Sequence, residues 1–385
     1  MRLLLDYRPA LRERTGVGEY VHQLARALAA GPDEVFLFTS SWKDRPDPQA
    51  MLEVAPARVI DRRIPVRVLN AAWIRFGWPP VERIAGRRVD LVHSPNPVAL
   101  PTAAASVVTV NDVGFLDHPE WAWAEMRDRY PESVGAHARA ADAVVVPSRY
   151  AAGLAASRLG VPSDRIFVCP YGLPPGWTEV PRGGPAPAIP AFDVRGCILF
   201  VGTLTARKNV AGLLDAYERL MAGLPEAPPL VLAGGTRPEA AVWLRRLQSH
   251  QLAGRVRHIG YVPDAERMAL YRWASMLVLP SFDEGFGLPA LEAMGLGVPV
   301  VVSDRGALPE VVGEAGLLVD PARPDDIAQA MGALLADPGL ARRLGEAGRQ
   351  RARAYTWVRT ASLVREAHAA AVVRHTERTR TGRNR

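Results

Sequence analysis

The stretch Met276-Leu-Val-Leu-Pro-Ser-Phe-Asp-Glu-Gly-Phe-Gly-Leu-Pro-Ala-Leu-Glu-Ala-Met294 decides the fold, because it passes from a strand to a helix through a glycine-rich loop. Met276–Leu279 is a short, continuous apolar run, typical of a strand that is buried on both faces. Pro289 suits the first turn of the helix predicted over Leu288–Met294, since its missing N–H would have no helical partner there. This order of elements predicts a parallel sheet covered by helices.

The same alternation of strands and helices runs outward from this stretch toward both ends of the chain. It stops at Leu173–Gly196, whose six prolines and four glycines cannot hold a helix or a central strand. The sequence therefore predicts an α/β protein with two Rossmann-like, doubly wound domains facing across a cleft. The predicted parts are an acceptor-side domain over residues 1–172, a linker over 173–196, a nucleotide-sugar domain over 197–360, and a final helix with a basic tail over 361–385. This final helix is free to pack back on the N-terminal domain.

Composition and charge exclude several classes of protein. Of 385 residues, 48% are hydrophobic and 23% are charged, as expected of a globular chain. The net charge is 47 − 40 = +7, but residues 374–385 carry five Arg and one Glu and so supply +4 of it. The remaining charge is too small to indicate nucleic acid binding. We expect the tail to be disordered, with contact to an anionic surface as the alternative.

The cysteines and apolar runs indicate the cellular compartment. Cys169 and Cys197 are the only two cysteines, which excludes a disulfide framework and a cysteine-based zinc site. No apolar run reaches the ~18 residues of a membrane-spanning helix, and the charged N-terminus does not resemble a signal peptide. We expect a cytoplasmic protein. Peripheral contact with the inner membrane face stays open, because the aromatic residues of Ala72–Trp78 follow Arg62, Arg63 and Arg67.

Two carboxylates flank the glycine-rich loop of the opening stretch. Glu284 precedes Gly285-Phe286-Gly287, and Glu292 is placed in the first turn of the helix that follows. Loop amides at a helix N-terminus favour an anion. Acidic hydrogen-bond acceptors on both sides of an anion site fit a nucleotide sugar, which has hydroxyls on both sides of a diphosphate. The alternative is that Glu292 only complements the helix dipole and Glu284 is solvated.

A second candidate stretch is Val201-Gly-Thr-Leu-Thr-Ala-Arg-Lys-Asn-Val210. Gly202 permits a tight turn after a strand, while Arg207 and Lys208 stand near the start of the next helix. Cations are unfavourable against the helix dipole there, unless a bound diphosphate compensates them. The alternative is a pair of ordinary surface cations.

The runs EGFGLPALEAMGLGVPVV, GTLTARKN and SDRGALPEVVGEAGLLVDP resemble the retaining glycosyltransferases of family four, which have the GT-B fold. The family signature, two glutamates separated by seven residues, matches Glu284 and Glu292. The resemblance covers nearly the whole chain, and runs such as DLVHSPNPVALP and VTVNDVGFLDHPEWA are similar to the mannosyltransferase-like branch. The resemblance implies hexose transfer from a nucleotide-diphosphate sugar, with GDP-mannose favoured over dTDP- and UDP-sugars.

The resemblance also implies roles for individual residues. Glu292 would bind the ribose, Glu284 the transferred sugar, and Arg207 and Lys208 the diphosphate. In the first half, Asn111 and Asp112 would face the reacting groups. The remaining donor-binding positions implied are Gly16, Gly18, Gly202, Thr203, Gly234, Gly235, His258, Tyr261, Gly285, Phe286, Gly287 and Leu288.

The chain departs from the family pattern at two of these positions. Thr203 stands where many members have Arg, so phosphate neutralisation would depend on Arg207 and Lys208. Asn111 stands where many have a His beside the donor sugar, which weakens the prediction of the donor; His118 is a candidate substitute, although it is also explained as a family-typical loop residue.

The mechanism implied by the resemblance needs no side-chain nucleophile, since the leaving diphosphate helps to deprotonate the acceptor hydroxyl. No two Asp residues stand two apart, and the histidines lack ligand spacing, so we expect no metal and no cofactor beyond the donor itself. The expected partners are a nucleotide-sugar donor and a carbohydrate or lipid-linked acceptor, without nucleic acid.

Rival functions remain open at this stage. A nicotinamide-dependent oxidoreductase would share the fold class, but Val21 stands where its third glycine belongs, and Thr39 and Ser40 where a ribose-binding carboxylate belongs. A sugar-nucleotide epimerase, a phosphorylase or a non-catalytic nucleotide-sugar-binding protein would use the same glutamates.

Overall fold

The computed structural model describes residues 1–11, 16–121, 130–174, 176–178, 183 and 193–383. These residues fall into two compact units, of which the first runs Met1–Gly172 and resumes at Thr356, and the second is Leu173–Tyr355. Most of the predicted linker over 173–196 lies outside the described residues.

The first unit contains a parallel sheet with helices in its crossovers. Its strands are β1 Arg2–Asp6, β2 Glu34–Thr39, β3 Arg58–Asp61, β4 Leu91–Ser94, β5 Ala105–Thr109, β6 Ala143–Val146 and β7 Ile166–Val168. Within the described residues the strand order is β3-β2-β1-β4-β5-β6-β7, and every pairing is parallel. The helices are α1 Val17–Ala29, α2 Pro48–Glu53, α3 Val66–Phe76, α4 Val81–Ala85, α5 Tyr130–Ala140 and α6 Arg149–Leu159.

The second unit repeats this architecture. Its strands are β8 Ile198–Val201, β9 Leu230–Ala233, β10 Val256–Gly260, β11 Met276–Leu279, β12 Val300–Ser303 and β13 Leu317–Val319. Their order in the described residues is β10-β9-β8-β11-β12-β13, again parallel. The helices are α7 Val210–Gly223, α8 Ala240–Arg246, α9 Asp264–Trp273, α10 Leu288–Gly295, α11 Leu308–Val312, α12 Pro324–Ala336 and α13 Pro338–Ala352. The prediction of two parallel α/β domains is confirmed.

The buried central strands explain why the apolar runs were decisive. All residues of β8, β9, β11 and β12 are buried, so hydrophobic side chains are needed on both faces. In each unit the chain order reverses at the middle of the sheet, between β1 and β4 and between β8 and β11. Ligands of such sheets bind beyond the carboxyl ends of the strands at this switch point.

A long C-terminal helix, α14 Trp357–Arg383, belongs to the first unit. Its buried face carries small and apolar side chains at helical spacing, including Ala361, Val364 and Ala371. The helix begins before the expected residue 361, because the second unit already ends at Tyr355.

The prediction that the basic tail is disordered is wrong for residues 374–383, which form the last turns of α14. Arg374 donates to the Asp142 carbonyl at 2.6 Å and to the Asp164 carboxylate at 2.8 Å, and Arg378 contacts the Asp142 carboxylate at 3.2 Å. Asp142 is buried, so its charge requires cationic partners. The arginines that suggested a solvated tail therefore fasten the helix to the sheet. Residues 384 and 385 lie outside the described part of the chain.

Candidate active site

Two loops of the second unit meet because the strands that precede them are neighbours. β8 and β11 pair directly, with Met276 opposite Ile198 and Leu277 opposite Leu199. The loop after β8 carries Arg207 and Lys208, and the loop after β11 carries Glu284, so parallel strands bring both loops to one edge of the sheet. The Phe282 N–H also donates to the Arg207 carbonyl at 2.8 Å, which joins the two loops through their backbones.

Glu284 is the centre of a buried charged cluster. Lys208 Nζ donates to its Oε1, Arg207 Nη1 lies 3.3 Å from its Oε2, and Ser281 Oγ donates to Oε1 at 2.7 Å. Arg207 Nη1 also donates to the Asp283 carbonyl at 2.6 Å. The structure thus brings together three of the predicted catalytic residues. Ser281, which belongs to the same loop, was not singled out from the sequence.

The cluster keeps the Glu284 carboxylate ionised. Burial alone would raise its pKa, but the positive charges of Lys208 and Arg207, with the hydrogen bonds from Lys208 and Ser281, lower the pKa of Glu284 to about 2. At neutral pH the group is a fixed acceptor, suited to sugar hydroxyls, and is not a proton donor. The reading of Arg207 and Lys208 as ordinary surface cations does not fit, since Lys208 is buried.

Glu292 is held by a second set of contacts. Arg267 Nη2 donates to its Oε1 at 2.9 Å, and the Tyr271 hydroxyl donates to its Oε2 at 2.8 Å. Both donors lie one turn apart on α9, and Arg267 also contacts Asp264 at 2.8 Å. The carboxylate is buried, and each of its oxygens keeps a further lone pair for a ligand hydroxyl.

The placement of Glu292 in the first helical turn is wrong. It is the fifth residue of α10, and the first turn of that helix holds no acidic residue. A carboxylate one turn inside the helix gains little from the helix dipole, so that explanation of Glu292 is weakened. The positioning pair Arg267 and Tyr271 was missed, because the periodicity of α9 shows only that these side chains face inward.

Glycines let the backbones of β8, β9 and β10 approach one another closely at their carboxyl ends. A Cβ on Gly234, whose φ is +149°, would lie 2.1 Å from the Gly202 carbonyl oxygen. The Gly234 N–H donates to the Gly260 carbonyl at 2.7 Å, and His258 Nε2 lies 2.8 Å from the Gly234 carbonyl. Gly202, Gly234 and His258, all predicted from the sequence, therefore shape one strand-end surface.

The glycine loop before α10 is packed tightly from behind. Gly287 has φ +101°, and a Cβ there would meet Leu308 at 2.5 Å. Gly306, after β12, lies so close that its own Cβ would sit 2.8 Å from the Glu284 backbone N and O, and the Ala307 N–H donates to the Glu284 carbonyl at 2.9 Å. Gly306 was not singled out from the sequence, although it stands in the SDRGALP run that carries the resemblance.

The other predicted donor residues lie on the same loops. Gly285 and Phe286 are buried, with the Phe286 ring edge-on to Tyr355 at 6.0 Å between centroids. The Leu204 N–H donates to the Gly235 carbonyl at 2.9 Å. Half-buried positions are Thr203, Tyr261 and Leu288.

The predicted residues of the first unit follow β1 and β5. Asn111 Nδ2 donates to the Pro95 carbonyl at 3.2 Å, and its Oδ1 accepts a hydrogen bond from the Tyr171 hydroxyl. Both ends of the Asn111 amide are therefore engaged, and its neighbour Asp112 is half-buried. Gly16, with φ +42°, caps α1, which contains the buried Gly18.

His118 was the candidate substitute for the missing histidine. Its Nδ1 contacts Glu120 at 3.0 Å and its ring stacks on Trp121 at 4.0 Å. These local contacts account for the residue without a role in catalysis.

The described residues contain no group of three His, Cys, Asp or Glu side chains arranged to hold a metal ion. In the same part of the chain, no helix has the length and apolar character needed to cross a membrane.

Family models match both halves of the sequence. The model described as Glycosyltransferase Family 4 matches residues 14–176, and the model described as Glycosyl transferases group 1 matches residues 189–351. The chain belongs to the family-four glycosyltransferases. The two loops joined at Glu284 are accordingly part of a GT-B glycosyltransferase, and the expected family and fold are confirmed.

Curated relatives of this glycosyltransferase include sugar transferases of two kinds. It is 35% identical over 243 residues to O-antigen chain mannosyltransferase B of Escherichia coli, a match covering 62% of this chain and 63% of the relative. A match to the serotype-specific mannosyltransferase WbdA of Escherichia coli, at 34% identity, covers 44% of this chain and 21% of that protein. Over 95% of its length the chain is 29% identical to D-inositol 3-phosphate glycosyltransferase of Pseudarthrobacter chlorophenolicus, covering 93% of that relative.

Solved structures support the same fold. The sucrose-phosphate synthase of Thermosynechococcus elongatus superimposes with a TM-score of 0.77 at 25% identity, covering 96% of this chain and all of that one. WaaG, a glycosyltransferase involved in lipopolysaccharide biosynthesis, superimposes with a TM-score of 0.70 at 17% identity, covering 97% of this chain and 99% of WaaG.

Proposed function

We propose that this glycosyltransferase is a retaining enzyme that transfers a hexose from a nucleotide-diphosphate sugar, GDP-mannose foremost, to an acceptor hydroxyl on a saccharide, a lipid-linked saccharide or a natural product. The observation that carries the proposal is the cluster of Arg207, Lys208 and Glu284 at the carboxyl ends of β8 and β11. Cations and a fixed carboxylate at a switch point suit a diphosphate joined to a sugar.

The proposed binding mode places each group of the donor against a different part of the site. Lys208 and Arg207 bind the diphosphate, Glu284 accepts hydrogen bonds from the hexose, and Glu292 accepts them from the ribose. The Gly285–Gly287 amides lie between the two carboxylates in sequence. Binding the donor transfers part of the Lys208 charge from Glu284 to phosphate, so the buried pair serves as a preorganised site in its absence.

The proposed chemistry needs no side-chain nucleophile. The bond between the sugar and the diphosphate breaks, and the acceptor oxygen attacks the same face of the sugar. The leaving diphosphate takes the acceptor proton. Lys208 and Arg207 stabilise the charge that develops on the leaving group, and the enzyme's other task is to position two substrates. Because two side-chain cations supply this stabilisation and no Asp-x-Asp pair is present, we propose that no metal is required.

Relatives favour mannose without excluding other donors. O-antigen chain mannosyltransferase B and WbdA are named as mannosyltransferases, whereas the longest match is to a D-inositol 3-phosphate glycosyltransferase. Asn111, which cannot carry charge, would contact the sugar differently from the histidine of many members. The expectation of a cytoplasmic location stays a prediction.

The proposal is tested by thermal shift with GDP, UDP, dTDP and ADP, each with and without its sugar. A nucleotide present at ~100 times its dissociation constant adds about 2.7 kcal/mol of stability. We expect GDP and GDP-mannose to give the largest shift in the wild type, and Lys208→Ala with Arg207→Ala to abolish it. The double variant Arg342→Ala, Arg343→Ala, which removes two exposed arginines of α13, is the matched control and retains the shift.

Product analysis then separates the proposed chemistry from its alternatives. NMR of the product is expected to show the anomeric configuration of the donor, and activity is expected to persist after chelation of divalent ions. An epimerase would convert the donor without consuming an acceptor. Absence of any shift with all four nucleotide diphosphates would overturn the donor site itself.

A further inference from the structure

The surface of α3 and the turn that follows it combines exposed apolar and cationic side chains. Val68, Phe76 and Trp78 are 61%, 71% and 59% exposed. Phe76 and Trp78 are two of the three exposed Phe or Trp side chains among the described residues, the third being Trp42. We call the exposed side chains of residues 63–78 the α3 surface. Large apolar groups exposed together indicate an interaction site.

The opposite face of α3 shows that this exposure is not a sign of poor packing. Leu69 and Trp73, one turn apart, are buried in the core of the first unit. Trp73 Nε1 donates to the Pro79 carbonyl at 2.9 Å, and the Gly77 N–H caps the helix on the Trp73 carbonyl at 3.0 Å. The turn is therefore fastened to the buried side of the helix, and Phe76 and Trp78 are presented on a rigid support.

The charges of the α3 surface all have one sign. Residues 62–81 contain Arg62, Arg63, Arg67 and Arg75 and no Asp or Glu. Arg62 caps the carbonyls of Ile84 and Ala85 at 2.6 and 2.5 Å, whereas the other three arginines are exposed. An exposed aromatic and aliphatic stripe with arginines on its flanks matches the boundary between lipid headgroups and acyl chains.

We propose that the α3 surface docks this glycosyltransferase on a membrane surface rich in anionic lipid. Phe76, Trp78 and Val68 enter the headgroup boundary, while Arg63, Arg67 and Arg75 bind lipid phosphates. Charge decides among the possible occupants, because a second copy of the chain would bring three exposed arginines against three. The inference is independent of the donor assigned above, and it favours a lipid-linked acceptor within the proposed function.

The test is sedimentation of the full chain with vesicles of phosphatidylglycerol and phosphatidylcholine in equal parts, against pure phosphatidylcholine. We expect binding to the anionic vesicles at low salt that weakens as salt increases. The variant Arg67→Glu, Arg75→Glu should bind at least about thirtyfold more weakly, at about fivefold per arginine contact. The variant Arg342→Glu, Arg343→Glu changes the net charge equally at two exposed positions of α13 and should bind as the wild type does.

A second pair of variants tests the apolar part. Val68→Ala should weaken binding several-fold, while Val242→Ala, at an equally exposed valine of α8, should not change it. Thermal melting shows whether each variant is folded. The proposal is overturned if the wild type ignores anionic vesicles at low salt, if both arginine pairs matter equally, or if an acidic polypeptide competes the α3 surface away from lipid. Because nucleotide binding is measured separately, failure here leaves the donor site untouched.

Discussion

Lys208 and Glu284 form a buried ion pair although 76 positions separate them in the sequence. Their loops meet only because β8 and β11 are neighbours at the middle of the second sheet. Removing one partner of such a pair leaves an uncompensated buried charge, whereas removing both does not. The pair therefore has separable effects on stability and on catalysis.

We expect Lys208→Met to lower the free energy of unfolding by about 3 kcal/mol, since Glu284 keeps only Arg207 as a charged partner. The lost cation also raises the pKa of Glu284 from about 2 toward its ordinary range. Adding Glu284→Gln should restore part of the stability, which urea unfolding of both single variants and the double variant measures. Activity should not follow: Lys208→Met should lose about a hundredfold in kcat, and the double variant should regain none of it. Recovery of turnover in the double variant would contradict the role of Lys208 at the diphosphate.

Arg267 and Tyr271 are expected to act through Glu292. They are positioning residues, because they hold both oxygens of the carboxylate that is proposed to bind ribose. Tyr271→Phe removes one hydrogen bond and should weaken nucleoside diphosphate binding about tenfold. The specific readout is the ratio of affinities for ribo- and 2′-deoxyribonucleoside diphosphates, which should fall toward one in Tyr271→Phe, Arg267→Lys and Glu292→Gln.

The ribose ratio distinguishes positioning from general damage. A variant that merely loosens the fold weakens both nucleotides equally and leaves their ratio unchanged. The matched control is Tyr217→Phe, which removes a partly buried hydroxyl donating to the Pro228 carbonyl at 2.8 Å on α7. If Glu292→Gln alone changes the ratio, Arg267 and Tyr271 are only structural. If no variant changes it, Glu292 does not contact the ribose.

Gly306 is expected to be essential to the shape of the Glu284 loop. Gly306→Ala adds a Cβ 2.8 Å from the Glu284 backbone at φ +66°, so the loop must move and the cluster with Lys208 is disturbed. We expect at least a tenfold loss of activity. Gly254→Ala shares a positive φ of +76° but has open space around its Cβ, so it carries the backbone strain without the clash. Steady-state kinetics of the two variants at matched folded fractions measure the difference, and equal activities would show that the loop tolerates displacement.

Central strands could be predicted from the sequence, whereas several edge strands could not. β3, β7 and β13 were missed, and each lies at the edge of its sheet. Their residues are only partly buried, so Arg58–Asp61 and Ile166–Val168 lack the continuous apolar signature of β8 or β11. Periodicity reports burial, and an edge strand that is half solvated gives a weak signal.

For the site, motif and spacing were enough to find Arg207, Lys208, Glu284 and Glu292, but not their partners. Spacing along the chain places a residue on a loop or helix, and the pairing of β8 with β11 decides which loops meet. Arg267 lies 25 positions from Glu292 on a different helix, so the contact depends on tertiary packing alone. The charged tail misled the prediction for the same reason, because its partner Asp142 is over 200 positions away.

The stability of the first unit is expected to fall in mild acid through two buried histidines. His368 on α14 contacts His93 on β4 at 3.0 Å, and His93 contacts Thr109 on β5 at 2.8 Å. Burial, with the charge of Arg365, lowers the pKa of His368 to about 3, and burial with the proximity of His368 lowers that of His93 well below its ordinary value. The unfolded chain binds protons on both groups below about pH 6.5 while the folded chain does not. Stability is therefore constant above that pH and is lost as the pH falls from about 6.5 toward 3.

The contribution of this pair is measured as the slope of unfolding free energy against pH. Each histidine adds up to about 1.4 kcal/mol per pH unit within the window, so His368→Gln, which cannot titrate but can still hydrogen-bond, should have a shallower slope between pH 6 and 4.5. His250→Gln, at an exposed histidine, is the control and should match the wild type. Carboxylates such as Glu284 contribute equally to all three proteins, so the difference between slopes isolates the buried pair. A His368→Gln slope identical to that of the wild type would mean that α14 releases His368 to solvent before the first unit unfolds.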